Sequence, residues 1–210
     1  MRTTPGLLLV ASVGLIAPVL QGSTIFYTSQ SSFLAAAAAD GLATNTIDFE
    51  SVPTGSYDTS SGLTVDGLNF VGPNSGSYQL QVGPAFFPTG TGNTLTAVGE
   101  IDVTLPPDTY AFAADVGSSF VYYSDADSSI EFQLSTGDSD SVPITPTSLF
   151  PFFGFISDTP VASLQILGPS FLSIDNVTSG TASSVPEPST LLPLLCAAPV
   201  LLLVTKKRRR

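Results

Sequence analysis

The chain has no histidine and no tryptophan, one cysteine and one methionine, and between Arg2 and Lys206 it has neither lysine nor arginine. Each absence removes a class of function. Without imidazole or a basic group in that interval there is no usual general base for a serine nucleophile, no cationic clamp for a phosphoryl group and no nitrogen ligand for zinc. Nucleic acid is not an expected partner, because phosphate binding depends on cationic neutralisation and the chain carries seventeen carboxylates. The lone Cys196 lies in an apolar run near the end. The stretch before it therefore has no disulfide and takes its stability from its core, its hydrogen bonds or a bound metal. A pair of acids can run glycoside hydrolysis, but nothing in the sequence sets two of them across a cleft, and no enzyme is expected.

The bases that are present mark the two ends, Arg2 at the front and Lys206, Lys207, Arg208, Arg209 and Arg210 at the back. Arg2 precedes an apolar stretch from Gly6 to Leu20, followed by Gln21, Gly22, Ser23 and Thr24. Residues 1–23 read as a secretory signal peptide, since so short an apolar run does not span a bilayer and small residues follow where a peptidase cuts. Cleavage is expected near Gly22 or Ser23, although Leu20 is a poor third residue before the first site and Gln21 before the second. The alternative is an uncleaved membrane anchor. Export machinery and a signal peptidase are the implied partners.

At the back, Ser183-Ser184-Val185-Pro186-Glu187-Pro188 leads into an apolar run from Leu191 to Val204 and then the basic cluster. As a helix those fourteen residues reach about 21 Å, short of a hydrocarbon core of about 30 Å, and Pro193 and Pro199 weaken it further. A helix over 189–205 can hold a protein at the membrane, with the stop at 206–210 kept on the cytoplasmic side. It is poorly built as a permanent anchor. Cys196 within it reads as a small apolar residue.

Pro186-Glu187-Pro188, an apolar helix and a terminal Arg cluster resemble the PEP-CTERM sorting signal of bacterial surface proteins, over residues 183–210. The resemblance implies recognition and processing by an exosortase-type enzyme, with membrane anchoring first and delivery to the cell surface or extracellular matrix afterwards. Such tails also go by the label of an ice-binding protein C-terminal domain, which describes the tail and says nothing about ice.

Residues 24–182 remain, roughly 160 residues, the size of one domain that folds alone. Ser31 or Ser32 can cap a short helix through Phe33–Ala39, with Gly41 as its left-handed stop. After it, period-two segments recur between turns: 46–50, 68–71, 78–82, 101–105 and 130–134 each alternate apolar with polar and should bury one face. Segments 110–114 and 152–156 are apolar on both sides and should lie centrally in a sheet. Pro106–Thr109, Ser135–Asp138 and Asp158–Pro160 carry turn residues. The spacing predicts an all-β, jelly-roll-like antiparallel β-sandwich with one short N-terminal helix.

Ile47-Asp48-Phe49-Glu50, the segment 62–70, the segment 153–160 and Leu172-Ser173-Ile174-Asp175-Asn176-Val177 resemble the β-sandwich ectodomains that commonly precede this sorting tail, and at two of these points they resemble carbohydrate-binding jelly rolls. In several of those a glutamate on the first strand and an aspartate on the last meet at a structural calcium. The resemblance implies Glu50 and Asp175 as calcium ligands. Unpaired carboxylates repel one another and suit an oxygen-seeking cation, and Asp125-Ala126-Asp127 and Asp138-Ser139-Asp140 are further candidate loops. Neither has the ligand ladder of an EF-hand.

Sugar faces stack on exposed rings, and Tyr57, Tyr78, Tyr122 and Tyr123 are the candidates, with Phe86-Phe87 behind them. The threonines of Thr89-Gly90-Thr91 and Thr94-Leu95-Thr96 are two short pairs and make no flat ice-binding array. The sequence therefore points to an exported surface or matrix protein with a structural or adhesive ectodomain, an exopolysaccharide being a candidate partner. The alternative is a carbohydrate-binding module with structural calcium.

Overall fold

The computed structural model describes residues 22–58, 60–73, 80–84 and 92–183. Residues 1–21 of the expected leader 1–23, the Pro186-Glu187-Pro188 motif, the helix at 189–205 with Cys196 and the basic tail 206–210 lie outside the described residues, as do Tyr78, Phe86, Phe87, Thr89 and Thr91. No helix among the described residues is long and apolar enough to cross a membrane.

Twelve strands and two helices follow one another as β1 (Thr24–Tyr27), α1 (Gln30–Ala39), β2 (Leu42–Ile47), β3 (Gly55–Tyr57), β4 (Leu63–Val65), β5 (Leu68–Val71), β6 (Leu80–Pro84), β7 (Asn93–Thr104), β8 (Thr109–Ser118), α2 (Ser119–Ser124), β9 (Ser128–Leu134), β10 (Ser139–Ile144), β11 (Phe152–Ser157) and β12 (Ser163–Ala182). Every pairing given for them is antiparallel, so the expected all-β, sandwich-like class holds.

The twenty-residue β12 organises the rest. Residues Leu164–Leu167 run between β7 and β9. Past a break in register between Leu167 and Phe171 the strand lies between β7 and β8, and from Val177 onward between β8 and β2. One strand thus serves two arms of a sheet that turns back over its own core. The arms close on each other through apolar side chains: Phe132 of β9 stacks on Phe153 of β11 with ring centroids 3.5 Å apart, within a cluster that includes Phe70, Leu95, Phe112, Ile130, Phe155, Ile166 and Ile174. The doubly apolar segments 110–114 and 152–156 fall in β8 and β11, and β8 lies centrally, between β11 and β12.

A second, smaller core forms on the outer face. Alanine favours the helix, and α1 presses Phe33 and Ala37 onto Ala111, Ala113 and Ile156. Gly154 makes that approach feasible, because a Cβ there would fall 2.8 Å from Ala113 Cβ and 3.0 Å from Phe33 Cδ2. The helix starts earlier than expected: Ser29 rather than Ser31 or Ser32 takes the cap position, and its hydroxyl sits 3.1 Å from that of Ser31. Gly41, at φ 69, ends it as expected.

Two expectations need correction. Alternation carried a strand through Glu50, but β2 stops at Ile47. Asp48 Oδ1 accepts the Glu50 N–H at 3.1 Å, and Phe49 adopts φ 58. That turn drives the Phe49 ring into the core beside Phe70, a gain that offsets a backbone conformation unusual for a bulky residue. Glu50 is consequently a turn residue. The second miss is α2, a six-residue helix in which Ser118 Oγ accepts the Phe120 N–H at 3.2 Å.

Candidate functional site

The two acids singled out by resemblance are brought near each other, with companions that the sequence did not reveal. On β12, Asp175 stands directly across from Asp115 of β8, a like-charge pairing that costs free energy in a sheet. The strand breaks register there, between Asp175 and Thr178, with Asn176 at φ 49. This bulge lets Asn176 serve both acids: its side-chain amide donates to Asp115 Oδ2 at 2.8 Å and its backbone N–H to Asp175 Oδ1 at 2.7 Å. Only 7% of Asp175 is exposed. Burial pushes its carboxyl up to about 6, against the Asn176 N–H, and the charges of Asp115, Glu50 and Asp48 push the same way as burial. Burial likewise raises Asp115, with the Asn176 amide opposing.

Glu50 is exposed and already engaged, its Oε1 accepting the Asn93 N–H at 2.8 Å. Among the described residues no three carboxylates converge closely enough to hold a metal ion. Glu50 and Asp175 are electrostatic neighbours in a half-buried acidic patch, and the patch is not a finished cage. Asp115 and Asp175 do not line the cavities described below. The other acidic loops have partners within the protein. Asp138 Oδ2 accepts the hydroxyls of Thr24 at 2.6 Å and Thr136 at 2.9 Å, Asp140 accepts the Ser141 N–H, and Asp125 caps α2 in the left-handed conformation.

Of the aromatic candidates, Tyr57 packs against the main core and donates its hydroxyl to the Pro53 carbonyl, which makes it structural. Tyr122 and Tyr123 do reach solvent, at 38% and 73% exposure, and meet edge to face with centroids 5.0 Å apart. Phe120, at 40%, joins them on α2. The helix is held by its inner side. Val121 enters the core, Ser118 Oγ donates to the Pro169 carbonyl at 2.6 Å, and Ser119 Oγ bonds Ser170 Oγ and the Phe171 N–H. Phe120 was overlooked because a single helical turn leaves no period to read; the signal lay in Ser118 followed by alternately buried and exposed large residues. Thr94 and Thr96 are buried, Thr96 Oγ1 lying 2.8 Å from Ser173 Oγ, so their hydroxyls face protein and not ice.

The largest cavity described, about 510 Å³, lies at the other end of β8. Tyr110, Ile156, Leu42 and Ile25 line it with Asp40 and Asp158, and both Ser23 and Ala182 stand at its wall. Smaller hollows of about 420 and 240 Å³ lie along β9, β12 and β7 and beside β6. Because Thr181 pairs with Thr109 and Leu172 with Ser118, the two described chain ends and the α2 rings are separated by the length of β8, roughly 30 Å at about 3.3 Å per residue.

No protein-family model matches the chain, and no curated protein matches it. Among solved structures it is similar to a family 29 carbohydrate-binding module from Piromyces equi, at 12% identity over 68% of this chain and 93% of that one, with a TM-score of 0.37. It is also similar to the CBM22-1 xylan-binding domain of Paenibacillus barcinonensis Xyn10C, at 14% identity over 67% of this chain and 95% of that one, with a TM-score of 0.38. Likeness at this level carries no argument about what this chain binds.

Proposed function

We propose that the chain is an exported surface or extracellular-matrix protein, delivered by a PEP-CTERM signal at 183–210, whose sandwich has a structural or adhesive role. One observation supports this reading most: both described chain ends lie at one pole, and three exposed rings lie at the opposite pole. A tether at Ala182 presents α2 outward. Phe120, Tyr122 and Tyr123 offer rigid, amphipathic contact area of the kind that dominates interfaces. Sorting and adhesion are separable. Glu187→Ala is expected to leave unprocessed precursor in the membrane fraction, and normal processing of that variant would reject the sorting signal.

Adhesion is read on the isolated exported protein. Replacing Tyr122 and Tyr123 together by alanine is expected to weaken retention on matrix polysaccharide by about tenfold or more while leaving the melting temperature close to wild type, since both rings are exposed. Equal retention would remove α2 from the account.

The second reading is a carbohydrate-binding module with structural calcium. It draws on the same rings and on the acidic patch of Asp48, Glu50, Asp115 and Asp175, and on the absence of any lysine, arginine or histidine among the described residues to balance their sixteen carboxylates. Glu50 and Asp175 would hold the ion, with Asp115 and Asp48 adding to the field, and calcium would supply charge neutralisation to the bulge. A selective hit on a glycan array, lost in the double tyrosine variant, favours this reading over a purely structural one.

A further inference from the structure

The geometry points to the Gly22–Ser23 bond as the one cut in maturation, and to the Asp158 carboxylate as the seat of the α-ammonium group that the cut creates. This rests on the export reading and goes beyond it. In the folded chain the Ser23 backbone N–H donates to Asp158 Oδ1 at 2.6 Å, and the Ser23 carbonyl accepts the Asp158 N–H at 3.1 Å. Thr24 then enters β1 opposite Ser157. Among the described residues Ser23 is therefore the first held through both its N–H and its carbonyl. A cut after Ser23 would delete both bonds, whereas a cut before it keeps them and strengthens one.

The chemistry is a hydrolysis by an extracytoplasmic peptidase. Water adds to the Gly22 carbonyl carbon, the C–N bond breaks, Gly22 departs as a carboxylate, and the Ser23 nitrogen takes up protons to become an ammonium group at neutral pH, where a free α-amine titrates near about 7.7–8.0. The nitrogen that held one N–H against Asp158 now carries a full positive charge at the same place. Among the described residues it is then the one cationic group, and it arrives beside two acids, Asp158 and Asp40, that line one cavity. Charge-assisted capture of a terminal amine follows. Gly22 itself packs against the loop, a Cβ there falling 2.6 Å from Thr159 Cγ2.

The test uses the full chain expressed in an exporting bacterial host. N-terminal sequencing of the exported protein is expected to begin Ser23-Thr24-Ile25-Phe26. The α-amine pKa, read from the pH dependence of its acylation, is expected to fall by about half a unit in Asp158→Asn and to hold in Asp125→Asn at the far pole. An exported chain beginning at any other residue overturns the inference and leaves export standing. A chain recovered from the cytosol with Met1 intact overturns both. A terminus at Ser23 whose amine titrates identically in Asp158→Asn overturns Asp158 as its seat.

Discussion

Phe153→Ala is expected to lower the unfolding free energy by about 3–5 kcal/mol, the range for truncating a fully buried aromatic side chain. Phe153 is 1% exposed and lies flat on Phe132, with centroids 3.5 Å apart, so its loss opens a void between the two arms and strips one face of its partner. Phe26 also packs beside it, with centroids 5.8 Å apart. Collapse from that side is limited because Phe26 is fixed by the pairing of β1 with β11. A domain of ordinary stability, about 5–15 kcal/mol, would lose a large part of its margin. Urea unfolding followed by circular dichroism reads the change as a fall in midpoint of about 1–2 M or more. A change below about 1 kcal/mol would show that the arms do not close through this stack, since surface changes typically stay within about 0.5 kcal/mol.

Asp175→Asn is expected to stabilise the domain at neutral pH, by about 1–2 kcal/mol once solvent screening around the exposed Glu50 and Asp48 is allowed for. The folded carboxyl titrates at about 6 against an ordinary value of 3.8. A raised carboxyl binds its proton more tightly in the folded state than in the unfolded one. Its stabilising contribution is therefore complete below about pH 3.8 and is lost as pH climbs through 6. The groups facing it, Asp115 from β8 and Glu50 and Asp48 from the turn after β2, are all acids and raise it further. Burial also raises Asp115, which pushes in the same direction. Wild-type protein in chelator should hence melt higher near pH 5 than near pH 7.5, and the variant should lose most of that slope. If calcium occupies the patch, adding it at pH 7.5 raises the wild-type melting temperature and does little to the variant. No response in either removes calcium from the account, and an unchanged slope in the variant removes Asp175 as its source.

How far the sequence could be read depended on whether the deciding interaction was local. Leu68–Val71 and Ile130–Leu134 were legible because one buried face imposes period two on the residues themselves, and both fall in strands, the first with identical bounds. The segment at 46–50 has the same alternation and still leaves the sheet after Ile47, since what decides it is the pocket beside Phe70 that accepts Phe49. Alternation carries no information about φ. In the same way, Glu50 and Asp175 could be proposed as partners only through a family likeness. Asp115, which the structure places directly across from Asp175, comes just after the apolar segment 110–114 and was not singled out. Register between strands sixty residues apart leaves no trace in either one. The α2 rings were half legible: Tyr122 and Tyr123 stand out as adjacent aromatics, but the turn that exposes them depends on bonds from Ser118 and Ser119 to the 169–171 loop.

The position of β12 at the end of the described chain bears on biogenesis. The strand that joins β2, β7, β8 and β9 is the last of the described strands to be synthesised, so those four emerge from the ribosome without one of the neighbours they need. Such late, long-range closure slows folding. On the export reading proposed above, that delay is useful: a chain threading a narrow conduit unfolded receives its keystone only after nearly everything else has had the chance to pass through.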